Sequence, residues 1–266
     1  MTRVPLTNGV LHTVVAGSGD PLLLIHGFPL DHSMWSAQIE HFAATHRVIA
    51  PDLRGFGQST VTSGIVTMEE FADDLVNLLG ALEITSPIAL CGLSMGGYIA
   101  LAFARRHRDR LEKLILCDTR ASADAQETRE QRAETAERVR REGTGFLATG
   151  MIERLFARQT REESPELIRG VQAVIRSETA EGGAEAALGM SLRADATLLL
   201  GELEQPVLVL VGAEDAITPP EEMREMAGRM PNAQYVEIAR AGHMAPLEQP
   251  AATNAAISSV LSGEAV

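Results

Sequence analysis

The sequence predicts an α/β fold in which a mostly parallel central sheet carries helices on both of its faces. Three observations lead to this prediction. Short apolar runs typical of buried parallel strands alternate with stretches of helical periodicity towards both ends of the 266-residue chain. A segment without strand-like runs, residues 120–195, interrupts this alternation. A Gly-x-Ser-x-Gly motif lies where one predicted strand passes into a helix.

The individual elements follow from the spacing of the apolar residues. Strands are predicted at residues 10–16, 21–26, 47–50, 88–93, 111–117, 207–211 and 234–238. Helices are predicted at residues 67–82, 95–107 and 247–261, and another is expected to begin near residue 220. Thr67 and Glu70 at the start of the first of these helices have the spacing of a capping box, which favours a helix beginning there.

Residues 120–195 are predicted to form a helical insertion. Residues 129–142 are dense in arginine and glutamate, often at i,i+4 spacing, and Ser164-Pro165 is typical of a helix start. The chain is therefore divided into a core, residues 1–119 and 196–266, and an inserted helical domain.

The composition argues against several classes of protein. The chain has 36 acidic and 23 basic residues, so its formal net charge is 23 − 36 = −13, which disfavours binding to nucleic acid or to an anionic membrane. Its longest apolar runs are too short to cross a bilayer, and no secretory signal is visible. Cys91 and Cys117 lie in apolar segments, as buried thiols in a reducing compartment do. We expect a cytoplasmic protein with neither a nucleic-acid nor a membrane partner, and the sequence does not indicate its oligomeric state.

The strongest chemical signal is Gly92-Leu-Ser94-Met-Gly96, which lies between a predicted strand and a predicted helix. A serine in so tight a turn is forced outward, and the glycines beside it avoid collisions with neighbouring backbone. The start of the helix adds positive potential beside the serine oxygen. This placement predicts that Ser94 is a nucleophile.

A serine hydroxyl needs a base, and the base needs a carboxylate that orients it. His243 follows the last predicted strand and Asp215 follows the strand before it, so both should reach the same edge of the sheet as Ser94. We interpret Ser94, Asp215 and His243 as a catalytic triad. Asp118 is the alternative acid because it also ends a strand, and Glu214 ranks last.

Two backbone amides are predicted to stabilise an oxyanion. Gly27 follows a buried strand and would let the loop turn back so that the N–H of Phe28 faces the pocket. The N–H of Met95, directly after the nucleophile, would be the second donor. The side chains expected to line the substrate pocket are Met244, Phe146 and Met151.

Together these motifs resemble the α/β-hydrolase superfamily over nearly the whole chain, and most closely its serine esterase and oxoadipate enol-lactonase-like branch. The landmarks occur in the family's order, namely His26-Gly27-Phe28-Pro29, Asp52 to Ser59, the Ser94 motif, and Asp215 with His243. The resemblance implies that residues 120–195 are a lid inserted after the sixth strand, and that Asp52 and Arg54 have structural roles around the oxyanion loop. Dehalogenases and epoxide hydrolases of this fold carry aspartate in place of Ser94, so an alkyl-enzyme mechanism is not expected.

The resulting hypothesis is a carboxylic ester hydrolase that forms an acyl-enzyme with a small or medium-sized ester or lactone substrate. No residues have metal-ligand spacing and no phosphate-binding glycine loop is present, so we expect neither a metal nor another cofactor. Three alternatives stay open: an enol-lactonase, a carbon–carbon bond hydrolase acting on a small acid, and a ligand receptor that retains the triad.

The type of cation also matters for the substrate. Lys113 is the only lysine, which leaves 23 − 1 = 22 arginines. An anionic substrate would need a local cation to overcome the negative field of the whole chain, and that cation is expected to be an arginine.

Overall fold

A computed structural model describes residues 1–263, and the strands of this part of the chain form one eight-stranded sheet. The strands are β1 (Thr2–Leu6), β2 (Gly9–Ala16), β3 (Asp20–Ile25), β4 (His46–Pro51), β5 (Ile88–Leu93), β6 (Leu111–Cys117), β7 (Val207–Gly212) and β8 (Ala233–Ile238). Their order in the sheet is β1-β2-β4-β3-β5-β6-β7-β8. The pairs β1–β2 and β2–β4 are antiparallel and the others are parallel, so the predicted fold class is confirmed.

Strand β1 was not predicted from the sequence. It lies at the edge of the sheet, pairs only with β2, and buries Val4 while most of its other side chains stay exposed. An edge strand of this kind needs no continuous apolar run and tolerates a proline such as Pro5, so its sequence carries little signal.

The helices within residues 1–263 cover both faces of the sheet. They are α1 (Ser36–Phe42), α2 (Met68–Ala81), α3 (Met95–Arg106), α4 (Gln126–Glu142), α5 (Leu147–Gly150), α6 (Ile152–Leu155), α7 (Arg158–Glu163), α8 (Pro165–Ser177), α9 (Ala180–Ser191), α10 (Thr197–Leu200), α11 (Pro220–Ala227), α12 (Ala245–Glu248) and α13 (Pro250–Ser262). Alternate residues of β5 point to opposite faces, so Leu90 belongs to the hydrophobic cluster that includes residues of α2, α3 and α11, whereas Cys91 belongs to the cluster that includes residues of α1 and α13. None of these helices is long and apolar enough to span a membrane.

The start of α2 has the capping box that the sequence predicts. The Thr67 hydroxyl accepts a hydrogen bond from the Glu70 amide at 3.2 Å, and the Glu70 carboxylate accepts one from the Thr67 amide at 2.7 Å. These two bonds satisfy amides that the first turn of a helix leaves without partners, which fixes where α2 begins.

The chain between β6 and β7, residues 118–206, is fully described and contains helices α4 to α10 but no strand. Its two ends meet, because the Ala196 amide donates a hydrogen bond to the Ala121 carbonyl at 2.9 Å. The segment therefore leaves and re-enters the core at one place. This contact lies beside the limits predicted for the inserted domain, residues 120–195, and the division into domains stays a prediction.

Two glutamates join the insertion to the core. Glu178, which is buried, accepts a hydrogen bond from the Gly57 amide at 2.8 Å. Glu248 accepts one from the Gly242 amide at 2.7 Å and another from the Ala157 amide at 2.9 Å. Because Gly242 precedes His243 and Ala157 belongs to the insertion, Glu248 ties the loop of the predicted base to the helices above it.

The protonation of Glu178 makes the stability of the fold depend on pH. Burial, reinforced by the charges of Asp31 and Asp52, raises the pKa of Glu178 from its ordinary value of 4.5 to about 8. The folded protein therefore holds a proton that the unfolded chain releases above pH 4.5, and this group destabilises the fold progressively as the pH rises from 4.5 towards 8. Glu178→Gln keeps an acceptor for the Gly57 amide and abolishes the titration.

We expect Glu178→Gln to lose less of its free energy of unfolding than the parent protein between about pH 5 and pH 8. Urea unfolding at both values measures this difference. Glu153→Gln, at an exposed position of the insertion, is the matched control and should follow the parent. The same pH dependence in Glu178→Gln and the parent would contradict the prediction.

Candidate active site

Ser94 lies in the turn between β5 and α3, with a φ of 54° that is rare for a residue other than glycine. The backbone packs tightly around this turn. A Cβ atom on Gly92 would lie 2.2 Å from the Gly96 carbonyl oxygen, and one on Gly96 would lie 2.3 Å from that of Ile25. The Ser94 amide also donates a hydrogen bond to the Cys117 carbonyl of β6 at 3.0 Å. Both glycines are therefore required for the turn to place Ser94 where it is.

Asp215 and His243 form a buried pair beyond the ends of β7 and β8. The Nδ1 atom of His243 lies 2.8 Å from Oδ2 of Asp215. Oδ1 of Asp215 accepts hydrogen bonds from the amides of Ile217 at 2.7 Å and Thr218 at 3.0 Å. The Thr218 hydroxyl donates to Oδ2 as well.

These contacts set the protonation of the pair. Burial alone would raise the pKa of Asp215, but the hydrogen bonds and the charge interaction with His243 outweigh it and hold that pKa below its ordinary value. An ionised Asp215 can only accept, so Nδ1 of His243 carries the proton and Nε2 has the free lone pair. His243 and Ser94 line the same cavity, so the predicted base and the predicted nucleophile face the same space.

Asp118, the alternative acid, is fully buried directly after β6. Its Oδ1 accepts a hydrogen bond from the Gly212 amide at 2.8 Å, whereas its Oδ2 has no hydrogen-bond partner within residues 1–263. Burial and the nearby charge of Asp215 raise the pKa of Asp118 well above 3.8. Of these two neighbouring carboxyl groups, Asp118 is the one whose pKa is raised, and the hydrogen bonds favour Asp215 as the partner of His243.

The two predicted oxyanion donors border the nucleophile. Phe28 lines the same cavity as Ser94, and Met95 is the first residue of α3, directly after Ser94. In the described part of the chain, neither of these two backbone amides has a hydrogen-bond acceptor. Both amides are therefore available to an oxyanion.

His26 holds the loop that carries Phe28. The Leu53 amide donates to Nε2 of His26 at 2.9 Å, so Nδ1 carries the proton and donates to the Gly27 carbonyl at 2.9 Å. Burial lowers the pKa of His26, which keeps the ring neutral in this role. The ring therefore connects the loop after β3 to the loop after β4.

Asp52 connects the same two loops. Its Oδ1 accepts a hydrogen bond from the His32 amide at 3.0 Å, and its Oδ2 accepts one from the Gln58 amide at 2.9 Å. Arg54 instead forms a two-pronged ion pair with Asp74 of α2. Neither Asp52 nor Arg54 lines the cavity, so their contacts are structural.

A cavity of about 320 Å³ is lined by Ser94 and His243, a size typical of a small-molecule site. Of the side chains predicted to line it, only Met151 does so. Met244 is fully buried in the hydrophobic cluster on the α1 and α13 face of the sheet. The guanidinium carbon of Arg138 lies over the ring of Phe146, 3.9 Å from the ring centre. The place of Met244 next to His243, and of Phe146 within the insertion, therefore did not indicate which way their side chains point.

Several functional candidates were not found from the sequence. Thr218 supports Asp215, and the spacing Asp-x-x-Thr is a signal that could have identified it. One face of α4 lines the cavity through residues spaced by three and four, which are Thr128, Gln131, Arg132 and Thr135. That spacing is visible in the sequence, but the insertion offers several helical faces of similar polarity.

Among residues 1–263, two groups of side chains have ligand atoms close enough together to hold a cation, namely Asp31, His32 and Asp52, and Asp118, Asp215 and His243. Within each group these atoms lie within 4.8 Å of one another. Both oxygens of Asp52 and both oxygens of Asp215 already accept hydrogen bonds from the protein. We assign no metal to either group.

Known proteins resemble this chain over most of its length. A family model described as the alpha/beta hydrolase fold matches residues 20–250. A solved structure of a thermophilic esterase from Thermogutta terrifontis, described as malate bound, has 51% sequence identity and a TM-score of 0.97, and covers 99% of both chains. The enol-lactonase from Burkholderia xenovorans LB400 has 29% identity and a TM-score of 0.91, over 98% of this chain and 100% of its own. Among curated proteins, 3-oxoadipate enol-lactonase 2 of Acinetobacter baylyi is 29% identical over 86% of this chain and 84% of its own length.

The two neighbouring acids should respond in opposite ways to neutralisation. Because the pKa of Asp118 is raised in the folded state, folding must keep a proton that the unfolded chain releases above pH 3.8. This group therefore lowers the free energy of unfolding as the pH rises above 3.8. The pKa of Asp215 is lowered, so its ionised form stabilises the fold above 3.8, and that contribution is lost as the pH falls through its folded-state value.

At neutral pH we therefore expect Asp118→Asn to raise the free energy of unfolding, and Asp215→Asn to lower it by about 1–3 kcal/mol. Chemical denaturation near pH 7, repeated near pH 4, measures both effects, and the gain from Asp118→Asn should shrink at the lower pH. A loss of stability in Asp118→Asn at neutral pH would show that Asp118 is the ionised member of the pair.

Proposed function

The chain belongs to the α/β-hydrolase family, and from this premise we propose that it cleaves carboxylic esters of small to medium size through an acyl-enzyme on Ser94. One observation carries the proposal. Ser94, His243 and the oxyanion-loop residue Phe28 line a single cavity, and the ionised Asp215 lies 2.8 Å from His243. This is the arrangement that acyl transfer to a serine needs.

In the proposed reaction, Ser94 Oγ attacks the ester carbonyl carbon while His243 Nε2 takes the hydroxyl proton. The carbonyl oxygen becomes an oxyanion that accepts hydrogen bonds from the Phe28 and Met95 amides. When the intermediate collapses, the bond to the alcohol oxygen breaks and the alcohol leaves with the proton from His243. The acyl group stays on Ser94.

The second half of the reaction returns the enzyme to its starting state. His243 takes a proton from water, and the resulting hydroxide attacks the acyl carbon, again forming an oxyanion. The bond to Ser94 Oγ then breaks, Ser94 regains its proton from His243, and the acid leaves. Asp215 stays ionised throughout and stabilises the protonated imidazole.

Relatives with two kinds of printed activity support two candidates within this chemistry. The esterase of Thermogutta terrifontis supports ester hydrolysis, which we place first because its identity of 51% is the higher. The two enol-lactonases support opening of a lactone. In a lactone the acyl group and the alcohol belong to one molecule, so the same steps open the ring.

A cytoplasmic location is a separate proposal. Cys91 and Cys117 are both free and buried, and their sulfur atoms lie 3.9 Å apart. Two unoxidised thiols so close together suit a reducing compartment, which supports the proposal.

The decisive variant for the proposed function is Ser94→Ala. Because it removes the nucleophile and leaves the cavity intact, we expect kcat for 4-nitrophenyl butyrate to fall by about 10⁴-fold or more. A fluorophosphonate probe should label the parent protein and not the variant. Ser177→Ala, at an exposed position at the end of α8, is the matched control and should keep full activity.

Ser94→Ala protein that hydrolyses the ester at the parental rate and still reacts with the probe would refute the assignment. The same three proteins assayed on an enol-lactone rank the two candidates, because the better substrate class has the higher kcat/KM.

A further inference from the structure

The cavity at Ser94 has a mixed lining. Its apolar side chains include Leu147, Met151, Leu155, Met190 and Ile217. Polar side chains of α4 also line it, together with Arg120, Arg132 and Arg154. No aspartate or glutamate from the described residues lines the cavity. A cavity lined by three arginines and no carboxylate is unexpected in a chain whose net charge is −13.

Nearby acids neutralise only part of this positive charge. Arg132 forms an ion pair with Asp124 at 2.5 Å, but Asp124 also pairs with Arg193 at 2.6 Å. The two guanidinium groups hold the pKa of Asp124 below its ordinary value despite burial. One carboxylate is therefore the ion-pair partner of two arginines. Arg193 in turn stacks on the ring of Tyr98, which lines the cavity.

The other two arginines differ from each other. Arg120 lies 3.3 Å from Glu222 and donates to the Ile217 carbonyl, so it is paired and held in place. The exposed guanidinium group of Arg154 has no partner within residues 1–263. Arg120, Arg132 and Arg193 therefore have carboxylate partners, whereas Arg154 lines the cavity without one among the described residues.

Some exposed arginines of the insertion have acidic partners, whereas Arg176, which does not line the cavity, has none within residues 1–263. Arg138 lies 2.8 Å from Glu142, and Arg158 lies 3.8 Å from Glu162. Arg154 thus combines a missing counter-charge with a place on the cavity wall. A guanidinium group suits a carboxylate because its N–H groups can donate two parallel hydrogen bonds.

Resting on the proposed function, we propose that the enzyme selects esters or lactones that carry a carboxylate, and that Arg154 binds that carboxylate. In this proposal the reacting carbonyl lies at Ser94, and the hydrocarbon part of the substrate contacts apolar side chains of the lining such as Met151 and Leu155. The negative field of the whole chain is screened over roughly 10 Å, so the local arginines determine the potential that a bound substrate meets.

Matched substrates test this proposal. The monoethyl esters of succinic, glutaric and adipic acid are anions near neutral pH. Ethyl butanoate, ethyl pentanoate and ethyl hexanoate have the same lengths, with a methyl group in place of the carboxylate. We expect the parent enzyme to have the higher kcat/KM on the anionic member of at least one pair. The chain length with the largest preference then reports the span from Ser94 to Arg154.

The matched variants are Arg154→Gln, Arg154→Lys and the control Arg158→Gln. Arg154→Gln should lose roughly 10- to 100-fold in kcat/KM on the preferred half-ester, the loss expected for one charge-assisted pair, and should lose much less on the matched neutral ester. Arg154→Lys should retain part of the preference because it keeps the charge and loses the fork. Arg158→Gln should behave as the parent does. Added salt should reduce the preference of the parent.

Two results would overturn the proposal: a parent enzyme that prefers none of the anionic esters, or a preference that survives intact in Arg154→Gln. Failure of the proposed function has a different signature. In that case the parent would hydrolyse neither series, or Ser94→Ala would hydrolyse them as fast as the parent.

Discussion

The site depends above all on the strained turn at Ser94. A φ of 54° costs a non-glycine residue roughly 1–3 kcal/mol, and the fold maintains it through close backbone approach at Gly92 and Gly96 and a hydrogen bond to β6. The turn ends the central strand β5, whose neighbours in the sheet are β3 and β6. Because parallel strands end at one edge, the loop after β3 brings Phe28 to the same cavity, and the loop after β8 brings His243.

Environment separates the chemical roles of similar groups at this edge. Asp118 and Asp215 have ligand atoms within 4.8 Å of His243 and of each other, yet their pKa values shift in opposite directions. Asp215 accepts hydrogen bonds on both oxygens, whereas one oxygen of Asp118 has no hydrogen-bond partner among the described residues. Like charges so close together disfavour ionising both carboxyls. The number of donors around each carboxyl therefore determines which one carries the charge that orients the base.

The sequence predicted seven of the eight strands that the structure describes, and it missed the edge strand β1. Ser94, Asp215 and Phe28 each follow an apolar run, which indicates where a buried parallel strand ends, whereas His243 follows a strand of mixed polarity. Side-chain direction outside the sheet was not predictable in this way, since Met244 turns into the core and Phe146 packs under Arg138.

The charge of the cavity could not be predicted from the sequence either. Asp124 pairs with Arg132 and with the distant Arg193, so the arginine left without an acid emerges only once the helices are packed.

Rapid acid quenching of the reaction with 4-nitrophenyl butyrate tests whether catalysis passes through an acyl group on Ser94. With this activated ester we expect acylation to be faster than deacylation, so an initial release of about one equivalent of 4-nitrophenol per enzyme should accompany a mass increase of one acyl group on the peptide that contains Ser94. A burst of 4-nitrophenol without an acylated Ser94 peptide, or an acyl group on a different residue, would contradict acyl transfer to Ser94.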